Sequence, residues 1–141
     1  MEKNMKTKHI ALFLFSALLG QCALADTVAV VSAKSPIASA TNEEVANLFL
    51  GKSNAIAGAS ATPVGLKEGS AVRDAFFQKF AGKSADQAKA IISKQVFTGK
   101  AQPMKEVASD ADIKAALGAD SNAVGMIDSV SVDASVKVIA K

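Results

Sequence analysis

Val28, Ala29, Val30 and Val31 stand in a row in TVAVVSA, residues 27–33, an apolar β-branched run that predicts a buried strand. The period then changes. Val45, Leu48 and Phe49 share one helical face behind Thr41-Asn42-Glu43-Glu44, where Thr at the N-cap and Glu three residues on make a capping box; Gly51 ends that helix. KSNAIAGASA, 52–61, is built of small residues and reads as a loop, and TPVGL, 62–66, as a short strand. Val72, Phe76 and Phe80 recur every four residues, which predicts a helix that stops at Gly82. Ser84-Ala85-Asp86-Gln87 is a second capping box, ahead of a helix with Ala88, Ile91 and Ile92 inside. FTGKAQP reads as a loop and MKEVA as a strand. Ser109 caps a further helix that buries Ile113, Ala116 and Leu117, with Gly118 after it. NAVGMID and SVKVIA complete the strands.

Strands and helices alternate throughout. The pattern predicts an α/β fold, one compact domain with a mixed or mostly parallel sheet flanked by helices. The phenylalanines fall on apolar faces and read as core.

The first 25 of the 141 residues read differently. Lys3, Lys6 and Lys8 precede a short apolar run, Ile10 to Leu19, and Ala23-Leu24-Ala25 offers small residues for cleavage. That order predicts a secretory signal peptide over 1–25, a mature domain over 26–141, and a periplasmic location. The run is too short for a transmembrane span, so no stable membrane insertion of the mature chain is expected. Gln21 before Cys22 fits a lipoprotein signal poorly, so a soluble exported protein is favoured over a lipid-anchored one.

Removal of that segment takes His9 and Cys22 with it, so the mature chain holds no His and no Cys. Disulfides, thiol nucleophiles, His-based metal sites and His general bases are excluded. The segment carries three Lys and one Glu, so the net charge falls from +3 to +1. Scattered Lys with no Trp or Tyr gives no case for nucleic-acid binding. The aspartates of the C-terminal third lack calcium-loop spacing and read as caps and a solvated face. No nucleophile elbow, Ser-x-x-Lys pair or cofactor motif is present; no catalytic residue, metal or cofactor is assigned.

One stretch carries candidate chemistry. KEGSAVRDAFFQKF, 67–80, opens a helix on Gly69-Ser70 with the only Arg of the chain, Arg73, in its first turn. A helix N-terminus has free N–H groups and a partial positive charge, and accepts phosphate or sulfate. Gly69 permits close approach, the Ser70 hydroxyl can donate, the Ala71 and Val72 amides are free to donate, and a guanidinium can clamp two oxygens. The competing reading is an ordinary helix start, with Ser70 as N-cap and Arg73 paired on the surface with Glu68 or Asp74.

Taken in order, NLFLGK, KEGSAVRDAFFQKFAGKS, IISKQVFTGKAQPMKEV and NAVGMID resemble the phosphate-type substrate-binding proteins of bacterial ABC transporters, and more closely their short single-domain relatives. The resemblance implies a type 2 periplasmic-binding fold in which helix N-termini and hydroxyls hold an anion between two lobes. The family's Gly-Ser-Gly-Thr loop, often followed by Arg, falls on Gly69, Ser70, Ala71, Val72 and Arg73. Its Ser after the first strand falls at Ser32 or Ser35, of which Ser35 is taken as the site residue. Phe97-Thr98-Gly99-Lys100 matches a family block. Ala71 and Val72 replace Gly and Thr, Met126 and Ile92 stand where aromatics are usual, and Met104 replaces a Pro. At this length one lobe is expected, so the anion would be half solvated unless a dimer or partner closes the site.

The resemblance thus implies an exported solute-binding protein, not an enzyme, that holds inorganic phosphate or a similar oxyanion. Its implied partner is an ABC permease or another envelope protein. The alternative is a fold of the same kind that has lost its ligand and serves as a structural or interaction protein.

Overall fold

The computed structural model describes residues 26–141. The signal-peptide reading of 1–25, with Cys22, lies outside the described residues. The elements in chain order are β1 (Thr27–Ser32), α1 (Asn42–Phe49), β2 (Ala55–Ile56), β3 (Ala59–Ser60), β4 (Thr62–Leu66), α2 (Ala71–Ala81), α3 (Ala85–Phe97), β5 (Lys105–Val107), α4 (Asp110–Ala119), β6 (Ala123–Asp128), a 3-10 turn (Ser129–Ser131) and β7 (Val136–Ala140). Five strands form the main sheet in the order β5-β4-β6-β1-β7. β4 pairs in parallel with β5 and β6, and β1 pairs antiparallel with β6 and β7. The sheet is therefore mixed, and the expected α/β class is observed.

β1 is buried at all six positions and β6 at five of six, which requires cover on both faces of the sheet. α2 and α4 both pack on β4, β6 and β1. Gly125 of β6 fixes the approach of α4. A Cβ at that position would meet Ile113 Cγ2 at 2.5 Å and the Leu117 methyls at 3.5 Å. Ile113 is fully buried and has no room to retreat. Gly125→Ala should therefore cost about 1–3 kcal/mol by overpacking. Gly65 on β4 is also close-packed, but its neighbours are the ends of two flexible side chains, Met104 at 2.8 Å and Met126 at 3.2 Å. Gly65→Ala should cost less, under about 1.5 kcal/mol, because methionine repacks. Urea melts of the two variants would check the order; equal losses would mean that α4 can shift as easily as a methionine.

The two expected capping boxes form, Thr41 with Glu44 and Ser84 with Gln87. Glu44 does a second task. Its Oε1 accepts the Ala57 N–H at 3.0 Å and its Oε2 the Thr41 N–H at 2.9 Å, and these backbone donors hold its pKa below the usual carboxylate value. Three expectations need correction. The loop over 52–61 contains a small hairpin, β2–β3, turned through Ala57 (φ 50°) and Gly58 (φ 80°), a pair of left-handed residues that suits a two-residue hairpin turn. Gly118 lies within α4 rather than after it, and the cap is Asp120. Phe97 is not core: it is 92% exposed. The helix that carries it, α3, packs mainly on α2 and fully buries only Ala88. Phe97 is its last residue and hangs past that contact.

Candidate functional site

β4 ends at Leu66, and the chain turns through Lys67-Glu68-Gly69-Ser70 into α2. The Ser70 N–H closes the turn on the Lys67 carbonyl at 3.2 Å, with Gly69 in the left-handed region at φ 88°. A Cβ at Gly69 would meet no atom within 4 Å, so the glycine is there for its backbone and not for space. Ser70 is the N-cap. Its Oγ accepts the Arg73 N–H at 3.3 Å, and its carbonyl accepts the Asp74 N–H at 3.0 Å. That leaves the N–H groups of Gly69, Ala71 and Val72 without a protein acceptor among the described residues. The Ser70 hydroxyl donates to no protein acceptor among the described residues either. The turn thus offers a cluster of donors at the positive end of an 11-residue helix.

Arg73 is not paired on the surface, as the reading of an ordinary helix start expected. It is 6% exposed, and its partner is neither Glu68 nor Asp74. Its Nη1 donates to the Leu66 carbonyl at 2.7 Å and to Glu106 Oε1 at 2.8 Å, while the guanidinium lies 5.6 Å from the centre of the Phe77 ring. It therefore pins the start of α2 to the ends of β4 and β5. Nε and Nη2 donate to no protein group among the described residues. Glu68 pairs instead with Lys89 at 3.1 Å. At the far end of α2, Lys79 donates to the Thr27 carbonyl at 2.7 Å and to Asp26 at 3.0 Å, which draws the Asp26 pKa below its ordinary value. α2 thus runs across the sheet from the β4–β5 edge to the start of β1, anchored by a cation at each end.

Ser35 is not brought to this turn. β1 runs antiparallel to β6, which is parallel to β4, so the end of β1 and the end of β4 lie at opposite ends of the sheet. Ser35 is buried there. Its Oγ accepts the Ile37 N–H at 3.2 Å and its carbonyl accepts Lys137 Nζ at 2.7 Å, both bonds that shape the β1–α1 connection. Gly69, Ser70, Ala71, Val72 and Arg73 stay together, and Ser35 stands apart.

A second helix starts at the same end of the sheet. Ser109 caps α4, but the first turn carries Asp110 and Asp112. Asp110 Oδ2 accepts from the Asp128 N–H at 3.2 Å and from Ser131 Oγ at 2.6 Å. Two carboxylates of the chain thus stand in that first turn, and their charge opposes an outside anion there. The start of α2 holds only Asp74 in its first turn. Glu106 was missed by sequence reasoning as a neighbour of Arg73. The signal was the strand MKEVA: a parallel β5 beside β4 sets Glu106 opposite Gly65.

Among the described residues no helix is long and apolar enough to cross a membrane. No protein-family model and no curated protein matches the chain. Solved structures do match in fold. A putative phosphate ABC transporter substrate-binding protein with bound phosphate from Clostridium perfringens is similar at TM-score 0.61 and 21% identity, over 80% of this chain and 43% of that one. An ABC-type phosphate transport receptor from Vibrio cholerae is similar at TM-score 0.60 and 21% identity, over 80% and 44%. A possible phosphate binding protein from Planctomyces limnophilus DSM 3776 follows at TM-score 0.57 and 13% identity, over 80% and 40%. The chain spans less than half the length of each of these proteins, and it shares with them the periplasmic-binding-protein-like fold.

Proposed function

We propose that this chain is an exported solute-binding protein that holds a phosphate-like oxyanion at the start of α2, without catalysis. The observation that carries the reading is the set of free N–H groups at Gly69, Ala71 and Val72, which no carboxylate accepts among the described residues, at a helix N-terminus. The Ser70 hydroxyl adds a donor, beside the buried Arg73 guanidinium, whose Nε and Nη2 donate to no protein group among the described residues. The fold shared with proteins described as phosphate-binding supports the same reading. A periplasmic location and an ABC permease or other envelope protein as partner belong to it. An oxyanion there keeps one side in water, where charged hydrogen bonds are weakened, so affinity on the order of 1 mM is expected.

A thermal melt of the purified protein in phosphate and in sulfate, at fixed ionic strength, tests this. With a Kd of about 1 mM, 10 mM anion stabilises by about 1.4 kcal/mol, a rise of roughly 4–8 °C for a domain of this size. Ala71→Pro is the informative variant. Position N1 favours proline, and Ser70 before it is already extended at φ −69°, ψ 127°, so one donor is removed with little strain. The rise should shrink in Ala71→Pro while the melt without anion stays put. A flat response to both anions in the unaltered protein would overturn the reading and leave the interaction protein in its place.

A further inference from the structure

Two Gly-Lys turns meet at the end of the sheet opposite Ser70. α1 is followed by Gly51-Lys52 and α3 by Gly99-Lys100, each glycine left-handed, at φ 77° and φ 73°. The turns touch. A Cβ on Gly51 would lie 3.0 Å from the Ala101 Cβ and 3.2 Å from the Gln95 Cβ. Between them and the start of β4 lies a cavity of about 540 Å³, with buried Leu48 and Ala61 in its wall. Lys52, Lys100, Asn54, Ser60, Thr62 and Gln102 are among its lining residues, and among the described residues no Asp, Glu or aromatic residue lines it. Neither ammonium forms an ion pair among the described residues.

The lysines are not needed as helix caps. In both turns the backbone does that work: Lys52 N–H reaches the Asn47 carbonyl at 2.8 Å and Gly51 N–H the Leu48 carbonyl at 3.2 Å, and Lys100 N–H reaches Gln95 at 2.9 Å and Gly99 N–H reaches Val96 at 3.1 Å. Two helix ends of about −0.5 charge each, against two full positive charges, leave a net charge of about +1 beside the cavity. Its volume falls in the range of about 300–1,000 Å³ that holds organic ligands. An inorganic oxyanion, a few water volumes of about 30 Å³ each, would leave most of it to solvent. We infer that this cavity binds a small polyhydroxylated organic anion, a sugar phosphate or a sugar acid. Its acid group lies between Lys52 and Lys100, and its hydroxyls meet Asn54, Ser60, Thr62 and Gln102. The site is separate from the oxyanion turn at α2.

Calorimetric titration of the purified protein with glucose 6-phosphate, glucuronate, glucose and inorganic phosphate, paired with amide chemical-shift mapping, tests the inference. The expected result is saturable binding of at least one of the two sugar anions, about tenfold or more tighter than glucose, with shifts centred on Gly51, Lys52, Gly99 and Lys100. Response to both sugar anions would mark a general acid-group site, and response to one would name the acid. Lys52→Gln with Lys100→Gln should weaken that binding about tenfold or more and leave any inorganic phosphate effect at α2 unchanged. Both lysines are exposed, so the double variant should fold. The inference is overturned if neither sugar anion saturates, if the shifts centre on 69–73, or if the double variant binds as before.

Discussion

Phe76→Ala is expected to lower stability by about 3–5 kcal/mol, the usual loss for emptying a fully buried aromatic position. The Phe76 ring is inaccessible to solvent and lies 4.8 Å from Phe49, 6.0 Å from Phe77 and 4.6 Å from Phe80, centre to centre. It joins α1 to α2 and both to the sheet, so no small movement of one element closes the hole. A domain of this size holds roughly 6–17 kcal/mol in total, so the loss is a large share. The melting temperature should fall by roughly 9–30 °C, followed by circular dichroism. Phe76→Leu should cost much less, since a branched apolar side chain refills most of the volume. The link to the proposed site is direct. Phe76 is one turn beyond Arg73, so loosening it loosens the helix start that presents the Ser70 donors. A loss under about 1 kcal/mol in Phe76→Ala would mean that the four rings repack freely and that α2 is held elsewhere.

The apolar periodicity made most of this fold legible. Val72, Phe76 and Phe80 gave α2, and the β-branched run at 27–33 gave β1, because a stripe or a run of apolar residues has few other ways to leave water. The capping boxes were legible because they are local: donor and acceptor lie within four residues. Phe97 was not, because its exposure depends on which neighbour α3 packs against, and that is decided by chain packed from elsewhere. The β2–β3 hairpin was hidden because its residues are small and carry no period.

The candidate site divides the same way. The free amides of the Ser70 turn follow from the helix start alone. Ser35 was placed by resemblance to a strand-end site, yet strand direction decides which end of a sheet a loop occupies, and β1 runs against β4. The partner of Arg73 depended on β5 pairing in parallel with β4. Local spacing offered Glu68 and Asp74, both within reach along the chain. The observed Glu106 is 33 residues away and is supplied by the sheet.

Arg73→Ala is the second large effect. Removing a buried guanidinium leaves the Leu66 carbonyl without its donor and Glu106 without its cation. Breaking a fully buried pair costs about 3–5 kcal/mol; here the Glu106 side chain is 39% exposed and can be rehydrated, so about 2–4 kcal/mol is expected. Glu106→Gln should cost less, about 1 kcal/mol, because its amide still offers an oxygen to Nη1 and water reaches it. The double variant should recover part of the sum, a coupling of about 1–2 kcal/mol in a cycle of urea melts. Additive losses would mean that the pair contributes nothing as a pair and that Arg73 acts through Leu66 and Phe77 alone. Glu106→Gln also separates the roles of Arg73. If it serves only to pin α2, phosphate should stabilise Glu106→Gln and the unaltered protein alike. If it also faces the bound oxyanion, removing the neighbouring negative charge should strengthen the phosphate response several-fold, because a carboxylate that shares the guanidinium repels the anion that would join it. The comparison needs no Arg73 variant, and so it is free of the stability loss that Arg73→Ala brings.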